Sequence, residues 1–304
     1  MSARARRTVV ASAIALVAAA TAMVPTAALA ASSANGTKGT ALTISTGTKY
    51  VIMNGTKVDF GVVVRDLAWS PDGKKAAFID GNGNLDVSNP NGTGRVTVAH
   101  NPGGQTWSHP TWQVAKADPS VQEPARNNLV FTANKAGTTR LETVAATAHN
   151  GTPKQLTLGN YAGPGVTPNP LTANNWASGG GAYGTVVYDN TRTGEIYIRD
   201  DYIRQQGGAV TRGSEPALSP SGDEIVFVRS VAGHDHILVD DLGHNGKVTD
   251  LTPHATTNDT EPAFSPDGKT IAFRAANGTY TIPANGSHGP VRLTTYVGLA
   301  AYRG

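Results

Sequence analysis

Three carboxylates and one histidine stand at matching places in a repeated stretch of this 304-residue chain. Asp66, His109, Glu215 and Glu261 each precede by three residues an aligned aromatic or apolar residue: Trp69, Trp112, Leu218 and Phe264. Aligning the third unit on Trp176 puts Ala173 in the series, and Leu299 completes it. Equivalent positions come together when repeats are arranged around an axis. Three acids and an imidazole at one opening would make either a divalent-cation site or a negative funnel for a basic segment of a partner. The plainer alternative is that each acid accepts hydrogen bonds from backbone amides at the start of its own unit.

Other candidates carry less chemistry. His234 and His236 flank Asp235, and on a strand both rings would share one face, enough for two metal ligands and no more. Asp80 to Asp86 alternates oxygen donors like a calcium loop, but Leu85 stands where the turn glycine belongs, so a polar hairpin is expected. Gly268-Lys269-Thr270 has the ending of a phosphate loop, with Ala263 where the first glycine would be. No Gly-x-Ser-x-Gly nucleophile elbow occurs. The absence of cysteine excludes disulfides, thiolate metal sites and cysteine nucleophiles. No catalytic residue is assigned, and no cofactor is expected beyond a divalent cation at the opening.

The elements that would position these residues are set by the repeat. Asp66-Leu67-Ala68-Trp69-Ser70-Pro71-Asp72-Gly73 returns as Glu261-Pro262-Ala263-Phe264-Ser265-Pro266-Asp267-Gly268 and as Glu215-Pro216-Ala217-Leu218-Ser219-Pro220-Ser221-Gly222. Ser-Pro-x-Gly fits a type I turn: serine accepts backbone bonds, proline presets φ and glycine tolerates the exit. Short apolar runs follow each turn, among them Ala76-Ala77-Phe78-Ile79 and Ile225-Val226-Phe227-Val228. These are hairpins of short strands, and two further strands complete each unit.

Four strands at a spacing of about 40–50 residues predict a β-propeller. Five units run from Asp66 onward. Residues 41–44, 50–53 and 58–62 supply three more strands, and 298–302 supplies one. Three plus one makes a sixth blade shared by both ends of the domain, which removes an open sheet edge. The expectation is an all-β, six-bladed propeller over 41–304. The one wide gap between units holds two loops, 115–126 and 158–175.

The first thirty residues read as an export signal. Arg4, Arg6 and Arg7 precede an apolar run from Val9 to Val24, and Ala28-Leu29-Ala30 gives a small-x-small cleavage site. The run is shorter than the roughly 20 residues of a membrane span. Arg6-Arg7 is also compatible with twin-arginine export instead of the Sec route. Residues 31–40 are expected to be a disordered lead-in. The net charge of +3 lies in that leader: without its three arginines the 25 basic residues equal the 22 acidic ones. A neutral remainder gives no nucleic-acid footprint.

Glu261 to Phe273, with the blade endings Leu251-Thr252-Pro253 and Val291-Arg292-Leu293-Thr294, resembles the WD40-like PD40 repeat of TolB-type propellers. That resemblance implies a secreted or periplasmic-type bacterial protein-binding module. It does not extend to the additional α/β domain of TolB, for which no segment is expected here. Related blades also form the gate of prolyl-oligopeptidase-type peptidases, and related propellers include oligogalacturonate lyases. Two functions are therefore expected. The first is a monomeric, non-enzymatic module for an extracellular or cell-envelope protein or peptide, with no membrane span in the mature chain. The second is an extracellular hydrolase or lyase acting on polysaccharide or peptide. Its face loops 115–126 and 158–175 would bring Asp118, Glu123, Tyr161 and Trp176 to one side.

Overall fold

The structure is a computed structural model and describes residues 34–159, 168–200, 207–243 and 246–304. The export signal over 1–30, Tyr161 and part of the 158–175 loop lie outside the described residues. In chain order, β1 (Leu42–Ser45), β2 (Tyr50–Met53) and β3 (Thr56–Asp59) come first. Blade one is β4 (Arg65–Trp69), β5 (Ala76–Ile79), β6 (Leu85–Ser88) and β7 (Val96–Ala99). Blade two is β8 (Thr106–Ala115), β9 (Arg126–Lys135), β10 (Thr138–Ala145) and β11 (Lys154–Gln155). Blade three is β12 (Asn174–Gly180), β13 (Thr185–Asn190), β14 (Glu195–Arg199) and β15 (Gly207–Arg212). Blade four is β16 (Ser214–Leu218), β17 (Glu224–Val231), β18 (His234–Asp241) and β19 (Lys247–Asp250). Blade five is β20 (Thr260–Phe264), β21 (Thr270–Ala275), β22 (Gly278–Pro283) and β23 (Val291–Thr294), and β24 (Leu299–Tyr302) follows.

The six four-stranded sheets make a six-bladed propeller. β24 pairs antiparallel with β1, Leu42 opposite Tyr302 and Ser45 opposite Leu299, so the closing blade is the expected three-plus-one sheet. Thr43 Oγ1 donates to the Ala301 carbonyl at 2.8 Å and adds a side-chain tie to that seam. The first strands touch in cyclic order, β4 to β8 to β12 to β16 to β20 to β24 and back to β4, which closes the ring.

Burial follows from stacking sheet on sheet. The second strand of each blade is covered on both faces, so it is an apolar run and not an alternating one. Phe78, Phe131, Tyr188, Phe227 and Phe273 occupy equivalent places on it and are fully buried or nearly so. Separate apolar clusters fill the wedges between neighbouring blades. Burying one such ring stabilises the fold by roughly 1.5–3 kcal/mol. The outermost strands, such as β3 and β19, are largely solvated.

The turns form as their residues dictate. In blade one the Gly73 amide donates to the Ser70 carbonyl at 2.8 Å, and Gly73 has φ +64°. Ser70 Oγ accepts from the Lys75 amide at 3.0 Å and donates to Asp72 Oδ1 at 2.7 Å. Ser265, Pro266, Asp267 and Gly268 repeat the arrangement, which makes Gly268-Lys269-Thr270 a hairpin turn. Ser219, Pro220 and Gly222 form the third copy, with Asp223 taking the aspartate's part. The Asp80 loop is likewise a turn: Asp80 Oδ1 accepts from the amides of Asn82 and Asn84.

Two expectations need correction. Residues 34–40 are not a disordered lead-in. Ala34–Thr37 forms a 3₁₀ turn in which Thr37 is buried and its Oγ1 accepts from the Gly55 amide at 2.9 Å. Gly36 backs directly onto the Leu293 carbonyl, where a Cβ would not fit. The strand expected over 58–62 ends at Asp59. There Asp59 Oδ1 accepts from the Gly61 amide and the chain turns away, placing Phe60 edge-on to Phe78, 5.9 Å between centroids.

Candidate functional site at the channel mouth

The first strand of five blades is interrupted by a bulge near its start, and the residue there is left-handed. Asp66 (φ 55°), His109 (49°), Trp176 (50°), Glu215 (52°) and Glu261 (55°) occupy this position. A left-handed conformation costs a side-chain-bearing residue about 1–2 kcal/mol, and it is rare for one as bulky as tryptophan. Repeating it around the ring makes a strained collar at one mouth of the channel. The sixth blade has no such bulge; Leu299 simply begins β24.

The third unit departs from its expected alignment. Ala173 precedes β12 and is not the collar residue; Trp176 is. The position equivalent to Trp69 and Trp112 is Gly179, pressed so closely on the Trp112 carbonyl that no side chain fits. The tryptophan of this unit has moved three residues forward, from wall to mouth. Its ring lies against His109, 3.7 Å between centroids.

Two of the three acids do what the plainer reading expected, with one difference: the amide each binds belongs to the next blade. Asp66 Oδ2 accepts from the His109 amide at 3.1 Å, and Glu215 Oε2 from the Glu261 amide at 2.7 Å. Thr132 Oγ1 does the same for the Trp176 amide at 3.1 Å. These bonds tie blade to blade. Glu261 differs. Its Oε1 meets Arg274 Nη1 at 2.7 Å, while its Oε2 is buried without a hydrogen-bond partner.

Burial pushes the Glu261 carboxyl up to about 7; Arg274 opposes the shift, and the charges of Glu215 and Asp66 add to it. Burial also raises Glu215, against the Glu261 amide and Arg274 and with Asp235. Asp189 is pushed up to about 7 by burial, with Glu215 contributing. The His109 imidazole is lowered by burial and by Arg274, against Asp66, and is neutral at pH 7. Groups from all five of blades one to five thus share one electrostatic environment. Carboxylates exceed cations in it.

Arg274, Asp189 and Thr132 were missed from sequence. Each directly follows the buried ring of a second strand: Phe273-Arg274, Tyr188-Asp189, Phe131-Thr132. A polar residue at that point of an apolar run was the available signal.

The remaining candidates disperse. His236 is buried and its Nδ1 lies 2.8 Å from Asp250 Oδ2; His234 lies two residues away on the same strand, half-exposed. Among the described residues no group of three or more His, Asp or Glu side chains is arranged to hold a metal ion. Of the loop residues expected for a hydrolase, Asp118 and Glu123 do not share a side with Trp176, and Tyr161 lies outside the described residues. Residues 115–126 continue the β8–β9 hairpin, with Asp118 bridged to Glu123 and Glu123 paired with Arg126 at 2.9 Å. That hairpin bridges to Tyr183, past the far end of β12, whereas Trp176 sits near the start of β12 at the mouth.

No protein-family model matches the chain, and no curated protein matches its sequence. Solved structures do. TolB from Acinetobacter baumannii superposes with a TM-score of 0.60 at 16% identity, over 86% of this chain and 66% of its own, so this chain spans just under two thirds of it. A putative TolB from Agrobacterium tumefaciens gives 0.60 at 17%, over 84% and 88%. A nidogen/laminin complex gives 0.59 at 10%, over 86% and 97%. The shared feature is the fold, a six-bladed propeller of the TolB type.

Proposed function

We propose that this chain is an exported, non-enzymatic propeller that binds an extracellular or cell-envelope protein or peptide through its mouth face. The carrying observation is the collar: Asp66, Glu215 and Glu261 converge with one guanidinium and a neutral imidazole, so a basic partner segment finds uncompensated negative charge. The leader's arginines and apolar run favour an extracytoplasmic location, by Sec or twin-arginine export. The propeller likenesses, one of them a nidogen/laminin complex, favour a protein-binding role. The neutral remainder of the chain disfavours nucleic acid.

Affinity capture tests the reading. The full chain, a mouth variant (Asp66→Lys) and a turn-end variant (Asp72→Lys) are used as baits in extracellular and envelope extracts. A specific partner retained by the wild type and the turn-end variant, and lost by the mouth variant, is expected. Equal capture by all three, or capture of nothing specific, overturns it.

A further inference from the structure

Behind the collar the channel opens into a cavity of about 330 Å³. It runs from His109 and Trp176 at the mouth to Pro71, Pro220 and Pro266 at the opposite turns, and Trp69, Trp112 and Phe264 line it between them. An apolar cavity of about 150 Å³ holds one benzene ring, so this one has room for two fused rings.

The lining is short of donors and of charge. The residue after the collar is proline in three blades, Pro110, Pro216 and Pro262, and proline has no N–H to offer. The Gly179 and Leu218 amides are spent on Thr111 Oγ1 and Ser178 Oγ of the preceding blades. The Trp69 and Trp112 indoles are spent on Thr43 Oγ1 and the Ala68 carbonyl, at 2.9 and 3.1 Å. Among the described residues no Asp, Glu, Lys or Arg lines the cavity. The collar acids are engaged outside it, Asp66 and Glu215 with amides of the next blades and Glu261 with Arg274. Gly304 meets the cavity at the turn end, against Pro71 and Gly73, at the opposite end from Trp176. The titratable side chains of the lining are uncharged at pH 7: burial lowers the His109 imidazole and raises the Tyr302 phenol. An ion entering among these rings would give up its water with nothing to replace it.

Trp176 is a second, independent pointer. It takes a left-handed backbone that sets its ring at the mouth, half-buried and stacked on His109, where other blades place an acid or the imidazole. Strain of that kind clusters at ligand clamps. Paired rings at the opening of a ring-lined cavity favour a planar guest.

We propose that this cavity binds one uncharged aromatic molecule of two fused rings, which enters past Trp176 and lies along Trp69, Trp112 and Phe264. The inference needs neither the collar acids nor a macromolecular partner.

Calorimetric titration of the full chain at pH 7 with 2-naphthalenemethanol, 2-naphthalenemethylammonium and 2-naphthoate tests it. Saturable one-to-one binding of the alcohol is expected, with both ions weaker by roughly tenfold or more. Ala263→Leu, which adds bulk to a half-buried position of the lining, should abolish binding of the alcohol. Trp176→Ala should weaken it roughly tenfold, and Trp176→Phe less. The proposal is overturned if the wild type binds no alcohol or binds either ion as tightly. It is equally overturned if a folded Ala263→Leu or Trp176→Ala variant binds the alcohol undiminished. The wild-type comparison decides even if a variant fails to fold. Absence of alcohol binding with partner capture intact would remove this inference alone.

Discussion

Carboxylates at the two ends of the channel are held under opposite conditions. At the turn end, Asp72 and Asp267 are exposed and their carboxyls are held below the ordinary value, first by the neighbouring serine hydroxyl and then by a backbone amide. Each has its local donors and a lysine nearby. At the mouth, Glu215 and Glu261 are raised, first by burial. Both sets belong to one repeated motif, only six residues apart in the sequence. The difference is what surrounds them: a self-contained turn in water, against a collar where acids from several blades share one guanidinium. The turn acids stabilise the architecture locally. The mouth acids share one guanidinium and are left wanting positive charge, which is why the mouth is the face proposed for binding.

The largest expected effect falls where the third blade breaks the repeat. Gly179→Val places a side chain against the Trp112 carbonyl and should destabilise the fold by about 3 kcal/mol, read by denaturant unfolding. An unchanged midpoint would mean that Gly179 is not pressed into the wall and that the Trp176 shift is misassigned. Next comes Glu215→Ala, which leaves the Glu261 amide unpaired and should cost about 1–3 kcal/mol, whereas Glu215→Gln keeps an acceptor and should cost less. Ser70→Ala removes the buried hydroxyl that accepts from the Lys75 amide and donates to Asp72, and should cost about 1 kcal/mol. Asp72→Asn should stay within about 0.5 kcal/mol at pH 7.

The pH dependence of stability sharpens the contrast. Glu261 holds its proton in the fold up to about 7, but ionises near 4.5 once unfolded. Between those values the folded state binds more protons than the unfolded one, so stability falls as pH rises through the window. Arg274 opposes this shift, while Glu215 and Asp66 reinforce it; burial and Arg274 lower the neighbouring His109 imidazole, against Asp66. Asp189, also raised to about 7, acts in the same direction. Asp72 and Asp267, lowered in the fold, contribute stability that is present above 3.8 and lost as pH falls through their folded values. Glu261→Gln should flatten the decline between pH 5 and 7, while Asp72→Asn should alter only the acid limb below pH 4. Unfolding midpoints measured across pH read both slopes, and an undiminished decline in Glu261→Gln would contradict the assignment.

The ring was legible because its determinants are local. Ser-Pro-Asp-Gly fixes a turn by its own residues, and the apolar run after it is the interior strand of a stack of sheets. Counting strands before Asp66 and after Thr294 was enough to close the sixth blade. The collar was half legible. Asp66, His109, Glu215 and Glu261 are picked out by their place in the repeat, but aligning Trp176 with Trp69 and Trp112 by residue type puts Ala173 in the series instead of Trp176. Only packing shows that the wall position is Gly179. Arg274 was invisible for a related reason: its pairing with Glu261 joins two strands of one blade across a bulge that no spacing rule reports. The unpartnered oxygen of Glu261 comes from three-dimensional crowding of acids drawn from blades far apart in sequence.

A carbon-detected NMR titration of the Glu261 side-chain carboxyl, in the wild type and in Glu215→Gln, tests the crowded collar most directly. The account predicts titration near pH 7 in the wild type and a lower midpoint once the Glu215 charge is removed. A wild-type midpoint near 4.5, unmoved by Glu215→Gln, would mean that these acids do not meet at the mouth.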